Sequence, residues 1–260
     1  MQVMENIERI VPVSALRDNY IWAICANAQC IVVDPGEAAP VQAFLQEQGL
    51  SLAAILLTHR HMDHQGGVPA LLEQMQVPVF GPAVGSMPAV THPVRDGESF
   101  AVEGFATPFS VFAVPGHTEE HIAYLHTGSL FCGDTLFAAG CGRLLGGTAS
   151  QLHSSLERLA ALPPETLIHC AHEYTLANLA FAKAVEPGNS TLQARSLRCE
   201  AQRAQGLPTL PSRLAEELAT NPFLRGKQAE VKHAAEVRSG KVLANSLAVF
   251  TELRKWKDDF

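Results

Sequence analysis

The chain has 260 residues, room for one large domain or for an ordinary domain with a smaller companion at roughly 150 residues per domain. Hydrophobic residues make up 47% and charged residues 17%, which excludes a disordered or collagen-like chain and any need for a disulfide scaffold. With 19 Lys and Arg against 26 Asp and Glu the formal charge is −7, so the chain as a whole offers no basic field to a nucleic-acid backbone.

In chain order, the stretch from Met1 to Arg9 carries acids where a secretory signal has a basic start and a continuous apolar segment, so a cytoplasmic protein is expected. Strand-length apolar runs follow at Cys30–Val33, Ala53–Leu57, Val77–Phe80, Phe109–Val114, Ile122–Leu125, Leu130–Cys132 and Leu167–Ile168, separated by Gly and Pro. Helical spacing appears at Val41, Phe44, Leu45 and Gln48, and again at Leu152, Leu156, Leu159 and Leu162 before Pro163 and Pro164 stop it. After about Tyr174 the strand-like runs disappear, while Leu176/Leu179, Leu210/Leu214/Leu218 and Leu243/Leu247/Phe250 recur at helical spacing. None of these runs approaches the roughly 18 apolar residues that a membrane helix requires. The six cysteines show no Cys-x-x-Cys spacing and are expected to be free, buried thiols.

The most informative segment is Thr58-His59-Arg60-His61-Met62-Asp63-His64, where the run Ala53–Leu57 ends. In extended backbone His59 and His61 project to the same side, so two imidazoles can reach one metal while Arg60 points elsewhere. If the chain then turns, Asp63 and His64 can address a second ion. Three further segments end strand-like runs with ligands of the same kind: Gly116-His117-Thr118, Gly133-Asp134-Thr135 and Ala171-His172-Glu173. Five histidines and two aspartates supply eight ligating positions if one carboxylate bridges. Imidazole and carboxylate suit zinc, iron or manganese alike. Such a pair of cations acidifies bound water and stabilises an oxyanion, so no Ser or Cys nucleophile is needed, and Cys132 and Cys141 are expected to be packing residues.

These motifs resemble the metallo-β-lactamase superfamily over roughly the first 175 residues. Within it the chain is similar to the glyoxalase II (hydroxyacylglutathione hydrolase) family through Asp18–Trp22, Val33–Gly36, Leu130–Phe137, Gly140–Arg143 and Ala171–Thr175. The resemblance implies an α/β fold, an αββα sandwich over 1–173 as the catalytic domain, followed by a small helical domain over 174–260 that contributes to glutathione binding. It implies that His59, His61 and His117 hold one metal, that Asp63, His64 and His172 hold the other, and that Asp134 bridges them, zinc being the expected ion. The implied reaction is hydrolysis of S-D-lactoylglutathione and related S-2-hydroxyacylglutathiones by a metal-held hydroxide, giving D-lactate and glutathione, the second step of methylglyoxal detoxification. No nucleic acid, membrane or obligate protein partner is expected.

An anionic tripeptide thioester calls for cationic groups. Arg254 and Lys257 lie three apart, on one face of a terminal helix, and match basic positions with which the family binds glutathione. Arg143 and Tyr174 match further glutathione-contacting positions. The chain also departs from the family pattern. Leu145 stands where an aromatic residue is frequent, Glu120 where glycine is usual, and Arg60 and Met62 replace a frequent His and a variable residue. Glu120 is expected to alter the turn near His117 or to add a charge beside the metals. His121 is expected behind the ligands or in a structural role, and His92, His126, His153, His169 and His233 match no role. The rival readings are another hydrolase of the superfamily, such as a lactamase or nuclease, and a catalytically silent metal- or glutathione-binding module.

Overall fold

The computed structural model describes residues 8–85, 87–105 and 107–260, so most of the acidic N-terminal stretch lies outside the described residues. The chain divides into two compact units, one of residues up to 113 together with 120–133, the other of 114–119 together with 134–260.

The first unit begins with antiparallel strands β1 (Arg9–Ala15), β2 (Asn19–Ala26) and β3 (Gln29–Val33). Helix α1 (Ala38–Gln48) then crosses to β4 (Ser51–Leu56), parallel to β3. The short α2 (Met62–Gln65) and α3 (Val68–Gln74) lead to β5 (Val79–Pro82) and β6 (His92–Val94), which continue the sheet in parallel. Strands β7 (Ser99–Phe100), β8 (Phe109–Ala113), β9 (Ile122–His126) and β10 (Ser129–Gly133) form an antiparallel meander.

Every residue of β2 is buried, as expected of a strand covered on both faces. On one face Val41 and Leu45 of α1 and Val68 and Leu71 of α3 pack with Ile21, Ala23, Val32 and Ile55. Each of the Val, Leu and Ile side chains contributes about 1.5–3 kcal/mol on burial. Against the other face lies the meander, where Phe80 stacks on Phe100 at 4.0 Å between ring centroids and the Tyr124 hydroxyl donates to the Leu57 carbonyl at 2.8 Å. Sheet–sheet contact sets the level of the β4 terminus, from which the histidine segment emerges.

The second unit holds the hairpin of β11 (Leu136–Phe137) and β12 (Gly140–Cys141), then α4 (Ala149–Ala160) and β13 (Leu167–Cys170). Helices α5 (Thr175–Val185) and α6 (Ser190–Ala204), strand β14 (Ser212–Arg213), and helices α7 (Leu214–Thr220), α8 (Ala229–Ser239) and α9 (Ser246–Asp259) complete it. Helix α4 opens on a capping box, Thr148 Oγ1 accepting from Gln151 N and Gln151 Oε1 from Thr148 N, and buries the expected Leu152, Leu156 and Leu159 stripe.

The C-terminal part is not wholly helical: β14 pairs with β13, Leu167 opposite Arg213. Two residues are too few to show alternation. Glu217 of α7 is fully buried, pairs with Arg195 of α6 and accepts the Ala139 N–H at 2.8 Å. This carboxylate therefore ties the β11–β12 turn to the helices. All six cysteines are free and buried, as expected. No helix among the described residues is long and apolar enough to cross a membrane.

Candidate metal centre and cationic cluster

The first unit supplies four of the seven expected ligands. Beyond β4 the chain bends at His59 and Arg60, and His61, at φ −63° and ψ 145°, leads into α2. His59 Nε2 lies 3.0 Å from His61 Nδ1. The α2 turn brings Asp63 Oδ2 to 3.5 Å from His64 Nε2. Asn19, at the start of β2, donates to both the carbonyl and the carboxylate of Asp63, each at 3.3 Å. Close approach demands Gly36, because a Cβ there would stand 2.0 Å from the Asp63 carbonyl oxygen.

Asp34 was given no role by its sequence context, yet it organises this group. Its Oδ1 accepts the Thr58 N–H at 2.8 Å, and its Oδ2 accepts the Thr58 hydroxyl at 2.7 Å and lies 3.0 Å from His64 Nδ1. Asp34, His59 and His64 are all buried and offer ligand atoms within 4.8 Å of one another. Asp34 also takes φ +53°, a conformation that non-glycine residues adopt at a cost and that only surrounding contacts hold. The Asp-Pro-Gly turn after β3 was the available signal.

The second unit carries His117, Asp134 and His172. Asp134 Oδ2 lies 3.5 Å from His117 Nε2 and its Oδ1 lies 3.3 Å from His172 Nε2, so one carboxylate faces two imidazoles. His117 turns its other nitrogen to the Arg143 carbonyl at 2.8 Å. A carbonyl partner of this kind fixes the tautomer that leaves Nε2 for a metal. Gly142 is required beside it, since a Cβ there would stand 1.9 Å from the Asp134 carbonyl oxygen. His172 stacks on Tyr174, 4.7 Å apart and 3° from parallel.

The four expected substrate contacts also lie in this unit, and three of them cluster. Arg254 is only 4% exposed. Its Nη1 donates to the carbonyls of Cys141 at 3.0 Å and Gly142 at 3.3 Å, and its Nη2 meets Asp258 Oδ1 at 3.0 Å. Arg143, well exposed, brings Nε to 3.7 Å from the same Asp258 oxygen. The Lys257 ammonium lies over Phe181 and Phe260, and its pKa is lowered by burial first and then by Arg254 and Arg143. Arg254 thus holds the segment that presents Arg143 and His117's carbonyl partner. Burial raises the Cys141 thiol to about 11, which keeps it protonated and suits a packing role.

The departures resolve in different ways. Glu120 is buried and turns to Arg60, so two of the unusual residues pair with each other. Met62 and Leu145 are exposed. His121 stacks on His59, 4.6 Å apart, behind the histidine segment. His126 is buried against Glu8 and Phe109, in keeping with a structural role.

Comparison with known proteins bears on the family. Residues 16–172 match the family model of the metallo-β-lactamase superfamily, and residues 173–260 match that of the hydroxyacylglutathione hydrolase C-terminus. A hydroxyacylglutathione hydrolase of Alkalilimnicola ehrlichii is 53% identical over 251 residues, covering 96% of this chain and 98% of the relative. Among solved structures, ETHE1 from Myxococcus xanthus superposes with a TM-score of 0.64 at 26% identity, covering 96% of this chain and 98% of that one. The protein TTHA1623 in a di-iron-bound form gives 0.54 at 30% identity, covering 62% and 91%. The chain belongs to the hydroxyacylglutathione hydrolase family of the metallo-β-lactamase superfamily.

Proposed function

We propose that the chain hydrolyses the thioester of S-2-hydroxyacylglutathiones, S-D-lactoylglutathione foremost, releasing the 2-hydroxy acid and glutathione. The observation that carries the reading is full-length kinship with enzymes of that name in a chain whose His and Asp side chains gather in ligand-like sets. In this reading His59, His61 and His117 hold one divalent ion, Asp63, His64 and His172 hold a second, and Asp134 serves both. Zinc fits these ligands, as do iron and manganese. The catalytic domain is then 1–173 and the helical domain 174–260.

Two such cations, when bound, supply acidified water and neutralise charge that develops on the carbonyl oxygen. The chain's own groups do the rest. Asn19 fixes the Asp63 carboxylate so that it can orient the attacking water, and the Arg143 carbonyl keeps His117 in one tautomer. Arg143 and Lys257 meet the glutathione carboxylates, Tyr174 offers its hydroxyl, and Arg254 holds the Cys141–Arg143 backbone in place.

The test is loss of thioester absorbance from S-D-lactoylglutathione, run with elemental analysis and a chelated control. Chelator-sensitive turnover with about two ions per chain is expected. Asp134→Asn is expected to lower ion content and reduce kcat at least ~100-fold, the scale of losing a group that serves both ions. A metal-loaded protein that leaves this thioester intact overturns the substrate assignment.

A further inference from the structure

The segment that carries His59 and His61 is paired, residue by residue, with the chain entering β9. Ile122 N–H donates to the Thr58 carbonyl at 3.0 Å. His121 is fully buried and stacks on His59 at 15°. Glu120 Oε1 accepts the Arg60 N–H at 3.1 Å. Three successive residues thus meet three successive residues in reverse order, as in an antiparallel ladder, but the last rung is a side-chain carboxylate.

That carboxylate is fully engaged. Its second oxygen pairs with the Arg60 guanidinium, and the Glu120 side chain is 2% exposed against 41% for Arg60. A buried carboxylate is tolerable only when paired and hydrogen-bonded, and Arg60 reaches in from the rim to meet that condition. The Arg60 carbonyl in turn accepts from the Gln65 amide at the end of α2. The N–H and the carbonyl of Arg60, one in each of the two peptide groups that link it to His59 and His61, are therefore both held by side chains.

A residue between two ligands sets their separation. Rotation of either peptide group flanking Arg60 would swing His59 and His61 apart, because the α-carbons that carry the two imidazoles are the far ends of those groups. We propose that Glu120 and Arg60 form a positioning pair that fixes the spacing of His59 and His61 for one ion. This rests on the reading of those two histidines as metal ligands. Neither residue touches substrate in this account. Both act through these peptide groups.

The pair is tested first without metal, by amide hydrogen exchange at Arg60 followed by NMR. Slow exchange in the wild type and in Glu120→Gln, whose amide oxygen still accepts the N–H, and exchange at least ~10-fold faster in Glu120→Ala are expected. The second readout is stepwise metal affinity with the d–d spectrum of the cobalt-loaded protein. Glu120→Ala is expected to weaken one ion by ~10-fold and leave the other, while Glu120→Gln stays within ~3-fold of wild type. Equal affinity in Glu120→Ala and wild type, or a Gln variant as weak as the Ala variant, overturns the proposal.

If Glu120→Ala does not fold, Arg60→Ala decides. It strands the buried carboxylate, and a ~10-fold loss at the same ion is expected, unchanged affinity being fatal. A wild-type protein that takes up no ion would overturn the ligand reading, and this pair with it. A wild type that binds normally beside indifferent variants would overturn the pair alone.

Discussion

Asp34 Oδ2 lies 3.0 Å from His64 Nδ1, between residues 30 positions apart in the chain. A carboxylate at that nitrogen keeps the proton on Nδ1 and turns the basic Nε2 toward Asp63. The same carboxylate satisfies the buried amide and hydroxyl of Thr58, so one side chain at the end of β3 fixes both the exit of β4 and the ring of a proposed ligand.

Asp34→Ala removes three acceptor contacts at once. The stranded Thr58 N–H alone costs about 1–3 kcal/mol, to be read from urea unfolding of metal-free protein. Loss of ring orientation is expected to weaken one metal by ~10–100-fold in a chelator competition. Asp34→Asn keeps the shape and an acceptor oxygen and is expected to recover most of the stability. A variant as stable as wild type with undiminished metal affinity would show Asp34 to be incidental.

Arg254 and Lys257 lie in one cluster but differ in what holds them, Arg254 being almost fully buried against backbone carbonyls and Lys257 lying over two rings. Arg254→Ala strands the carbonyls of Cys141 and Gly142 as well as Asp258, so a loss of about 2–3 kcal/mol is expected together with a raised KM. Lys257→Ala loses an ammonium over two rings and a 3.4 Å contact to the Ala177 carbonyl. It is expected to raise KM about 5–10-fold with kcat little changed, the signature of lost uniform binding. Thermal unfolding of the two variants side by side checks the contrast, and equal melting temperatures would contradict it.

The lowered pKa of Lys257 has a pH consequence. The ammonium is charged below its pKa, so its attraction for an anionic substrate is present at neutral pH and fades on the alkaline side sooner than an ordinary lysine allows. KM for S-D-lactoylglutathione is expected to rise at alkaline pH in the wild type. In Lys257→Arg, which stays charged, that rise should vanish. A rise of the same size in the arginine variant would assign it to another group.

His169, on β13, has its pKa lowered by burial to about 4 from an ordinary value of 6.5. The unfolded chain therefore binds this proton first as pH falls. The contribution to stability is complete above pH 6.5, declines between 6.5 and 4, and changes no further below, amounting to about 3 kcal/mol. The difference in unfolding free energy between wild type and His169→Gln, both metal-free, is expected to shrink by that order over this range. A difference independent of pH would remove His169 from the account.

The histidine segment was legible because its information is local: two imidazoles two residues apart, then a turn. The β-formers of β3, β4 and β8 to β10 and the α4 stripe were legible for the same reason, being written in consecutive residues, whereas β2 was not read as a strand. Asp34 was not, because its work is done on Thr58 and His64, which only sheet register brings to it. Helix α6 escaped notice because Arg195 and Ser196 share its buried face with Leu192 and Cys199, leaving no apolar period to read. Arg254 was read as a glutathione-binding cation, and only the packing of α9 shows that it serves the backbone of another segment.

The buried triangle of Arg195, Glu217 and the Ala139 amide bears on how this chain can change over generations. Loss of Arg195 leaves the Glu217 carboxylate in the interior without its counter-charge and costs about 3–5 kcal/mol, much of the stability of an ordinary domain, whereas loss of Glu217 leaves Arg195 with Glu216 and Thr220 but frees the Ala139 N–H. Replacing both with apolar groups is far milder for the ion pair but leaves the Ala139 N–H without its acceptor. A path that begins with the loss of Arg195 therefore crosses a deep fitness valley. Lineages descending from this chain should keep the pair together or abandon it only alongside a rebuilt β11–β12 turn.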